Sequence, residues 1–299
     1  MDDVLIIGAG PAGLAAALQL GRYGIRPRLL EGSRPGGLLW NANRVENYPG
    51  FSGGVSGPDL VRAFLDQTEH IQITREPVLD LTWQDGAFYA KTPASVYPAK
   101  TAVIASGTKP CPLTGFTIPD TLRGQVVYDV AGLLDSAGAK VVVVGGGDAA
   151  FDYAINLARK NSVIILNRTE QVKCLPQLFA QAQACQNITY RPNTGIIRLE
   201  SAPAGGMVVE CSSPKKTIKL QADVLIGAIG REPQLDFVSP SLMERSADLE
   251  KMGILHFAGD VKNGMFRQTA IAVGDGIRAG MLIHQRLMEN ANEADRIHR

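Results

Sequence analysis

The sequence predicts an α/β fold in two domains. Three observations predict it. The chain has 299 residues, more than one ordinary domain needs and close to the prior for two. The stretch VLIIGAGPAGLAAA, starting at Val4, returns as VVVVGGGDAAFDYA, starting at Val141. In both, an apolar run enters a glycine turn and leaves it as a run of small and apolar residues at helical spacing. Shorter alternating strands follow each unit, at residues 71–90 and 188–220.

The elements follow in order. Residues 4–7 form a short apolar run bounded by glycine and predict a buried parallel strand. Residues 11–23 predict a helix, and 27–30 a second strand ending at Glu31. Residues 36–54, GGLLWNANRVENYPGFSGG, predict a long loop, and a loop of that length inside a compact domain is usually functional. A helix is expected at 57–70, alternating strands at 71–90 and a buried strand at 102–105. The Gly-, Pro- and Thr-rich run 107–120 reads as the first crossing between domains. Residues 140–168 repeat the strand–helix–strand unit, and 188–220 predict a small antiparallel sheet. A buried strand at 222–229, a last strand at 254–257 and a helix over about 267–289 complete the chain.

Composition narrows the function. Hydrophobic residues are 45% and charged residues 20%, as in a globular protein with sizeable cores. A net charge of +1 makes no electrostatic case for nucleic acid or an anionic membrane surface. No run of 18 apolar residues is present to span a bilayer. The start, MDDVLIIGAG, lacks a basic n-region and reads as a strand, not a signal peptide. The cysteines are Cys111, Cys174, Cys185 and Cys211, with no C-x-x-C and no zinc-like spacing. Reduced thiols, a cytoplasmic setting and no metal are expected.

The two turns carry the chemistry. The first reads Gly8-Ala9-Gly10-Pro11-Ala12-Gly13. Its first glycine makes the tight turn, its second lets backbone approach a pyrophosphate, and its third lets helix pack on strand. Phosphates then meet the free amides and the dipole of a helix N-terminus. The second reads Gly145-Gly146-Gly147-Asp148-Ala149-Ala150, with alanine at the third glycine position. The units stay in register: 8 + 23 is Glu31, and 145 + 23 is Arg168. A carboxylate accepts a ribose 2′-hydroxyl, whereas an arginine suits a 2′-phosphate. The first site therefore suits FAD or NAD, and the second leans toward NADPH, with Lys173 as a second cation. Asp148 reads as a helix-capping acid. Both domains are expected to be Rossmann-like, with a three-layer ββα build.

At this point the sequence resembles the low-molecular-weight thioredoxin reductase family over nearly its whole length. GAGPAG with Glu31 resembles that family's FAD fingerprint, so Gly8, Gly10, Pro11, Ala12 and Gly13 are expected at FAD. RVENYPGF…GPDL resembles the flavin-side loop, which implies a place for Asn47 near the isoalloxazine ring, with Gly37 and Leu38 upstream. VIASGTKP resembles the motif that closes the FAD domain, implying Ala105 and Gly107, with Ser106 in place of threonine; Val78 is also expected at FAD. GGGDAAFDYA is similar to the nicotinamide fingerprint, implying Gly145, Gly147, Asp148, Ala149 and Ala150. GILHFAGDVKNGMFRQTAIAVGDG is similar to the second FAD motif. It implies that Gly259 and Asp260 hold the ribityl side and that Arg267, Gln268 and Thr269 face the flavin N1–O2 edge.

Two departures qualify the resemblance. Thioredoxin reductases carry a C-x-x-C pair a little before the second glycine turn, and here VVYDVAG, residues 126–132, fills that slot. Without the pair no dithiol relays electrons to a disulfide. Asp129 in this slot is a candidate acid, with a turn or cap role as the alternative. Family members that use NADPH carry H-R-R-x-x-x-R after the second strand, and here NRTEQVK keeps Arg168 and Lys173 but has Thr169 for the second arginine. A full nucleotide frame without a dithiol also resembles the ferredoxin/flavodoxin–NADP reductases of thioredoxin reductase-like fold. Their C-terminal aromatic is missing from HQRLMENANEADRIHR, where His298 reads as a terminal histidine.

The expectation is an FAD domain at 1–112 and 231–299, with an NAD(P)-type domain at 113–230. Electrons are expected to pass from NAD(P)H to FAD and on to a ferredoxin- or flavodoxin-like protein, in a homodimer. Two alternatives stand beside it. The inserted domain binds another ligand, such as a second FAD, or the chain is a non-catalytic flavin-binding redox subunit.

Overall fold

The computed structural model describes residues 1–203 and 205–297, with backbone alone at 291–297; His298 lies outside them. The chain divides into two compact units. The first comprises Met1–Trp40, Val45–Lys109 and Glu232–Arg299, and the second Asn41–Arg44 and Pro110–Arg231.

In chain order the first unit opens with β1 (Asp2–Ile7), α1 (Pro11–Arg22), β2 (Arg28–Leu30), α2 (Gly57–Gln67) and β3 (Ile73–Thr74). β4 (Asp80–Gln84), β5 (Ala87–Lys91), β6 (Val96–Ile104) and β7 (Thr108–Pro110) follow. The second unit holds β8 (Val126–Val127), β9 (Lys140–Val144), α3 (Asp148–Leu157), β10 (Ser162–Leu166), α4 (Pro176–Ala184) and β11 (Ile188–Arg191). It continues through β12 (Gly195–Ser201), β13 (Met207–Ser212), β14 (Thr217–Ala222) and β15 (Val224–Gly227), and β16 (Arg231–Pro233) begins at its last residue and carries the chain on into the first unit. The chain then returns to the first unit with α5 (Pro240–Lys251), β17 (Leu255–Phe257) and α6 (Thr269–Ile297).

The first unit is built on a sheet of order β3-β2-β1-β6-β5-β4, with β17 also paired to β6. β1, β2, β3, β6 and β17 pair in parallel, and β4 and β5 continue from β6 antiparallel. β1 shows why its sequence is apolar without interruption. Val4 and Ile6 pack with α1 and α6 in one core, and Leu5 and Ile7 pack with Leu81, Phe88 and Leu249 in another. Successive strand residues point to opposite faces, and both faces are covered. α1 and α6 approach closely because a Cβ at Gly276 would stand 2.1 Å from the Ala12 carbonyl oxygen.

The second unit repeats the scheme. Its parallel sheet runs β11-β10-β9-β15-β8, and β12-β13-β14 form a separate antiparallel sheet. Val141 and Val143 of β9 pack with α3 residues such as Phe151, while Val142 and Val144 pack with Val209 and Leu199 of the antiparallel sheet. The second unit therefore stacks a helical layer, the parallel sheet and the antiparallel sheet, a three-layer ββα assembly. One expectation is corrected here. Residues 188–191 pair in parallel with β10 and belong to the large sheet, not the small one. Other bounds move: α2 ends at Gln67, β6 spans Val96–Ile104, β15 spans Val224–Gly227, and α6 begins at Thr269 and runs to Ile297.

Candidate functional site

In the first unit the glycines of the first turn divide by what surrounds them. Gly8 has φ +102°, and a Cβ there would stand 2.4 Å from the Ala105 carbonyl oxygen. A Cβ at Gly13 would stand 1.8 Å from the Gly8 oxygen. These two glycines let strand, turn and helix close on one another. Around Gly10 nothing lies within 4 Å of a built Cβ. Gly10 is also the N-cap of α1, with no side-chain cap and with Pro11 following it. The first intrahelical bond runs from the Leu14 amide to the Gly10 carbonyl, 3.0 Å, leaving the Ala12 and Gly13 amides ahead of it. An uncapped helix N-terminus behind an open glycine fits a diphosphate.

The other expected flavin residues fall in this unit. Glu31 Oε2 accepts the Ala9 amide at 2.7 Å, and Oε1 accepts the Ser33 amide at 2.8 Å. The Gly36 amide donates to the Ala9 carbonyl, 2.7 Å, and a Cβ at Gly37 would stand 3.3 Å from the Gly10 Cα. Gly259 (φ +80°) sits against the same helix start, its built Cβ 2.9 Å from the Ala12 Cβ. Asn47 Nδ2 donates to Gln268 Oε1 at 2.8 Å, joining two residues 221 positions apart. Ala105 is buried and gives its amide to the Ile7 carbonyl at 2.8 Å, while Gly107 (φ +67°) accepts the Gln234 amide at 3.0 Å. Leu38 lies in a short 3-10 turn, Gly37–Asn41, and Val78 packs on the first core. Asp260 and Arg267 are half-buried, and Thr269 starts α6.

The second turn has the same division of labour. A Cβ at Gly145 would stand 2.2 Å from the Ala228 oxygen, while Gly147, the N-cap of α3, has nothing within 4 Å. A cleft of about 350 Å³ opens here, bordered by Gly145, Gly147, Asp148, Ala149, Arg168 and Lys173, with Tyr128, Tyr153 and Arg231 also on its wall. Ala150 is buried beneath it. Asp148 does not cap α3. Its Oδ1 accepts the Leu175 amide at 2.8 Å and so ties the loop before α4 to the start of α3.

That loop carries the basic residues, and a buried Asn167 shapes it. Asn167 Nδ2 donates to the Gln171 carbonyl and to the Tyr190 hydroxyl, both at 3.0 Å, and Oδ1 accepts the Thr169 amide at 3.3 Å. The Lys173 amide donates to the Gly146 carbonyl at 2.8 Å. Arg168 and Lys173 are exposed.

The slot at 126–132 is filled by core and by a hydrogen-bonded neighbour. Val130 is fully buried. The Val130 and Ala131 amides donate to Asn41 Oδ1 at 3.0 and 2.9 Å. Asp129 is exposed and does not border the cleft, whereas Tyr128 does; Tyr128 also holds the Leu113 amide at 3.0 Å. Beside this slot Asp152 Oδ2 accepts the Asn43 amide at 2.9 Å, and burial pushes its carboxyl up to about 6, against the lowering pull of the Asn43 bond and Arg159.

Asn167, Asp152 and Tyr128 were not evident from the sequence. Asn167 lies next to Arg168 but reads as one loop polar residue among several, and Asp152 reads as a solvent-facing helix acid. Among the described residues no group of three or more His, Cys, Asp or Glu could hold a metal, and no helix is long and apolar enough to cross a membrane.

The sequence matches the family Pyridine nucleotide-disulphide oxidoreductase over residues 2–254. A thioredoxin reductase of Streptomyces clavuligerus is 30% identical over 303 residues, covering 93% of this chain and 92% of that protein. The crystal structure of T. acidophilum thioredoxin reductase superposes with a TM-score of 0.82 at 26% identity, covering 96% of this chain and 98% of that one. The Lactococcus lactis thioredoxin reductase (FR conformation) gives 0.83 at 23% identity over 97% and 100%, a likeness of fold. The chain belongs to the pyridine nucleotide-disulphide oxidoreductase family, as a low-molecular-weight thioredoxin reductase-like, FAD-dependent oxidoreductase.

Proposed function

We propose that this oxidoreductase binds FAD on the first unit and NADPH on the second, and exchanges electrons with a protein other than thioredoxin. A small iron–sulfur or flavin protein of the ferredoxin or flavodoxin kind is the favoured acceptor. One observation carries the acceptor: the four cysteines stand at 111, 174, 185 and 211, so no C-x-x-C exists to relay electrons to a disulfide. The residues of the FAD site fit that group, because the first turn leaves Gly10 open in front of an uncapped helix start. When bound, FAD supplies the redox chemistry, and the protein supplies position and electrostatics.

In this reading α1 receives the diphosphate, Glu31 the ribose hydroxyls, and Asn47 with Gln268 the ring edge. The helix start at Thr269 favours negative charge there. In the second unit the glycine turn receives a diphosphate, and Arg168 and Lys173 face a 2′-phosphate. Dimer formation is part of the proposal. The acceptor is tested by presenting the NADPH-reduced enzyme, in parallel, with oxidised thioredoxin, ferredoxin and flavodoxin. Fast reoxidation by thioredoxin, with the other two inert, overturns it.

The eroded basic cluster favours a second reading, because Thr169 replaces a cation. The cleft of the second unit then takes another nucleotide, such as a second FAD. A flavin-to-chain ratio near two after gel filtration supports that reading, and a ratio near one supports the first.

A further inference from the structure

We propose that Asp275 is a positioning residue for the flavin nucleotide: from α6 it holds the five-residue stretch 259–263, and with it Asp260, in the shape that receives the ligand. This inference rests on the assignment of FAD to the first unit. Asp275 Oδ2 accepts the Gly259 amide at 3.1 Å and Asn263 Nδ2 at 2.7 Å. Its Oδ1 lies 3.3 Å from Lys262 Nζ, and the side chain is 16% exposed. One carboxylate thus grips both ends of the stretch, and both of its oxygens are engaged.

The stretch is held from the other side too. Gly259 has φ +80°, with its built Cβ 2.9 Å from the Ala12 Cβ. The Lys262 amide returns to the Gly259 carbonyl at 3.1 Å. Gly276, next to Asp275, seats α6 on the Ala12 carbonyl. The same start of α1 therefore meets the Asp260 turn and the segment of α6 that braces it.

Charge explains why an acid is tolerated beside a site for a diphosphate. An unneutralised carboxylate would repel the ligand, and Lys262 offsets it. Aspartate is a weak helix former, so its gain at this place in α6 lies in the turn it binds. Asp275→Ala removes all three contacts. Asp275→Asn keeps one acceptor oxygen and loses the ion pair.

The test uses the purified full-length chain, with flavin release on dilution and FAD titration read by flavin fluorescence. Apoprotein melting is measured in parallel. Asp275→Ala is expected to weaken FAD binding roughly 10- to 100-fold, the loss typical of bonds to a charged acceptor, and Asp275→Asn by less. The FAD-induced rise in Tm shrinks in the same order. A purely structural Asp275 would lower the apoprotein Tm and leave FAD affinity and the FAD-induced rise unchanged, which overturns the inference. If Asp275→Ala does not fold, Asp275→Asn decides: weakened binding upholds the inference and unchanged binding overturns it. A wild-type chain that takes up no FAD overturns the reading of the first unit and this inference together, whereas wild-type binding with unchanged variants overturns this inference alone.

Discussion

Glu31 Oε2 accepts the backbone amide of Ala9 at 2.7 Å, so the acid at the end of β2 is tied to the glycine turn at the end of β1. Its other oxygen takes the Ser33 amide at 2.8 Å. Each oxygen has further lone pairs, so the carboxylate is fixed in place and still able to accept ribose hydroxyls. Glu31→Ala is expected to weaken FAD binding by about 10- to 100-fold, with Glu31→Gln falling between it and wild type. Fluorescence titration checks this, and wild-type affinity in Glu31→Ala would remove Glu31 from the site.

The glycines of the first turn should separate folding from binding. A methyl at Gly13 would meet the Gly8 oxygen at 1.8 Å, whereas one at Gly10 meets nothing within 4 Å. Gly13→Ala should therefore reduce soluble yield and Tm. Gly10→Ala should leave the apoprotein Tm near wild type and cut FAD binding, because the methyl fills the approach of the diphosphate. Circular dichroism melts and flavin content together read both effects.

Specificity of the second unit should respond to charge at one loop. Arg168→Ala is expected to weaken NADPH binding about 10-fold or more and to change NADH binding little. Thr169→Arg restores the third cation of the basic cluster and should raise the NADPH-to-NADH preference. Calorimetric titration with both nucleotides measures the ratio. Equal losses for NADPH and NADH in Arg168→Ala would place the adenosine ribose elsewhere.

Asp152 predicts a pH dependence. Burial raises its folded-state carboxyl from an ordinary 3.8 to about 6. The protonated form is the one the fold favours, so its contribution is present below the unfolded value and lost as pH rises through 6. A shift of this size corresponds to roughly 3 kcal/mol. Asp152→Asn should raise the Tm at pH 8 and give no gain at pH 3, where the carboxyl is protonated in both states. A melt series from pH 3 to 8 on both proteins checks the sign, and a variant less stable at pH 8 contradicts it.

Much of this was legible in the chain because local spacing encodes it. The glycines at 8, 10 and 13 can be assigned roles from their positions, and the uninterrupted apolar runs of β1 and β9 announce strands covered on both faces. Residues 188–191 read as part of the small sheet yet pair in parallel with β10, because alternation in a short strand says nothing about the direction of its partner. Asp148 looked like a cap, yet its partner is Leu175, 27 residues on. Asn41, which holds the Val130 and Ala131 amides, and Asp275, which holds Gly259, act across tertiary contacts that leave no periodic mark. Burial is also what sets Asp152 apart from an ordinary helix aspartate.

In the proposed function the first turn serves a flavin and the second a nicotinamide nucleotide, and the two exchange electrons. The most direct test is an anaerobic titration of the FAD-loaded protein with NADPH and, separately, NADH, followed by flavin absorbance. NADPH is expected to bleach the bound flavin, and NADH to do so less effectively. Flavin that stays oxidised in the presence of both nucleotides would contradict it.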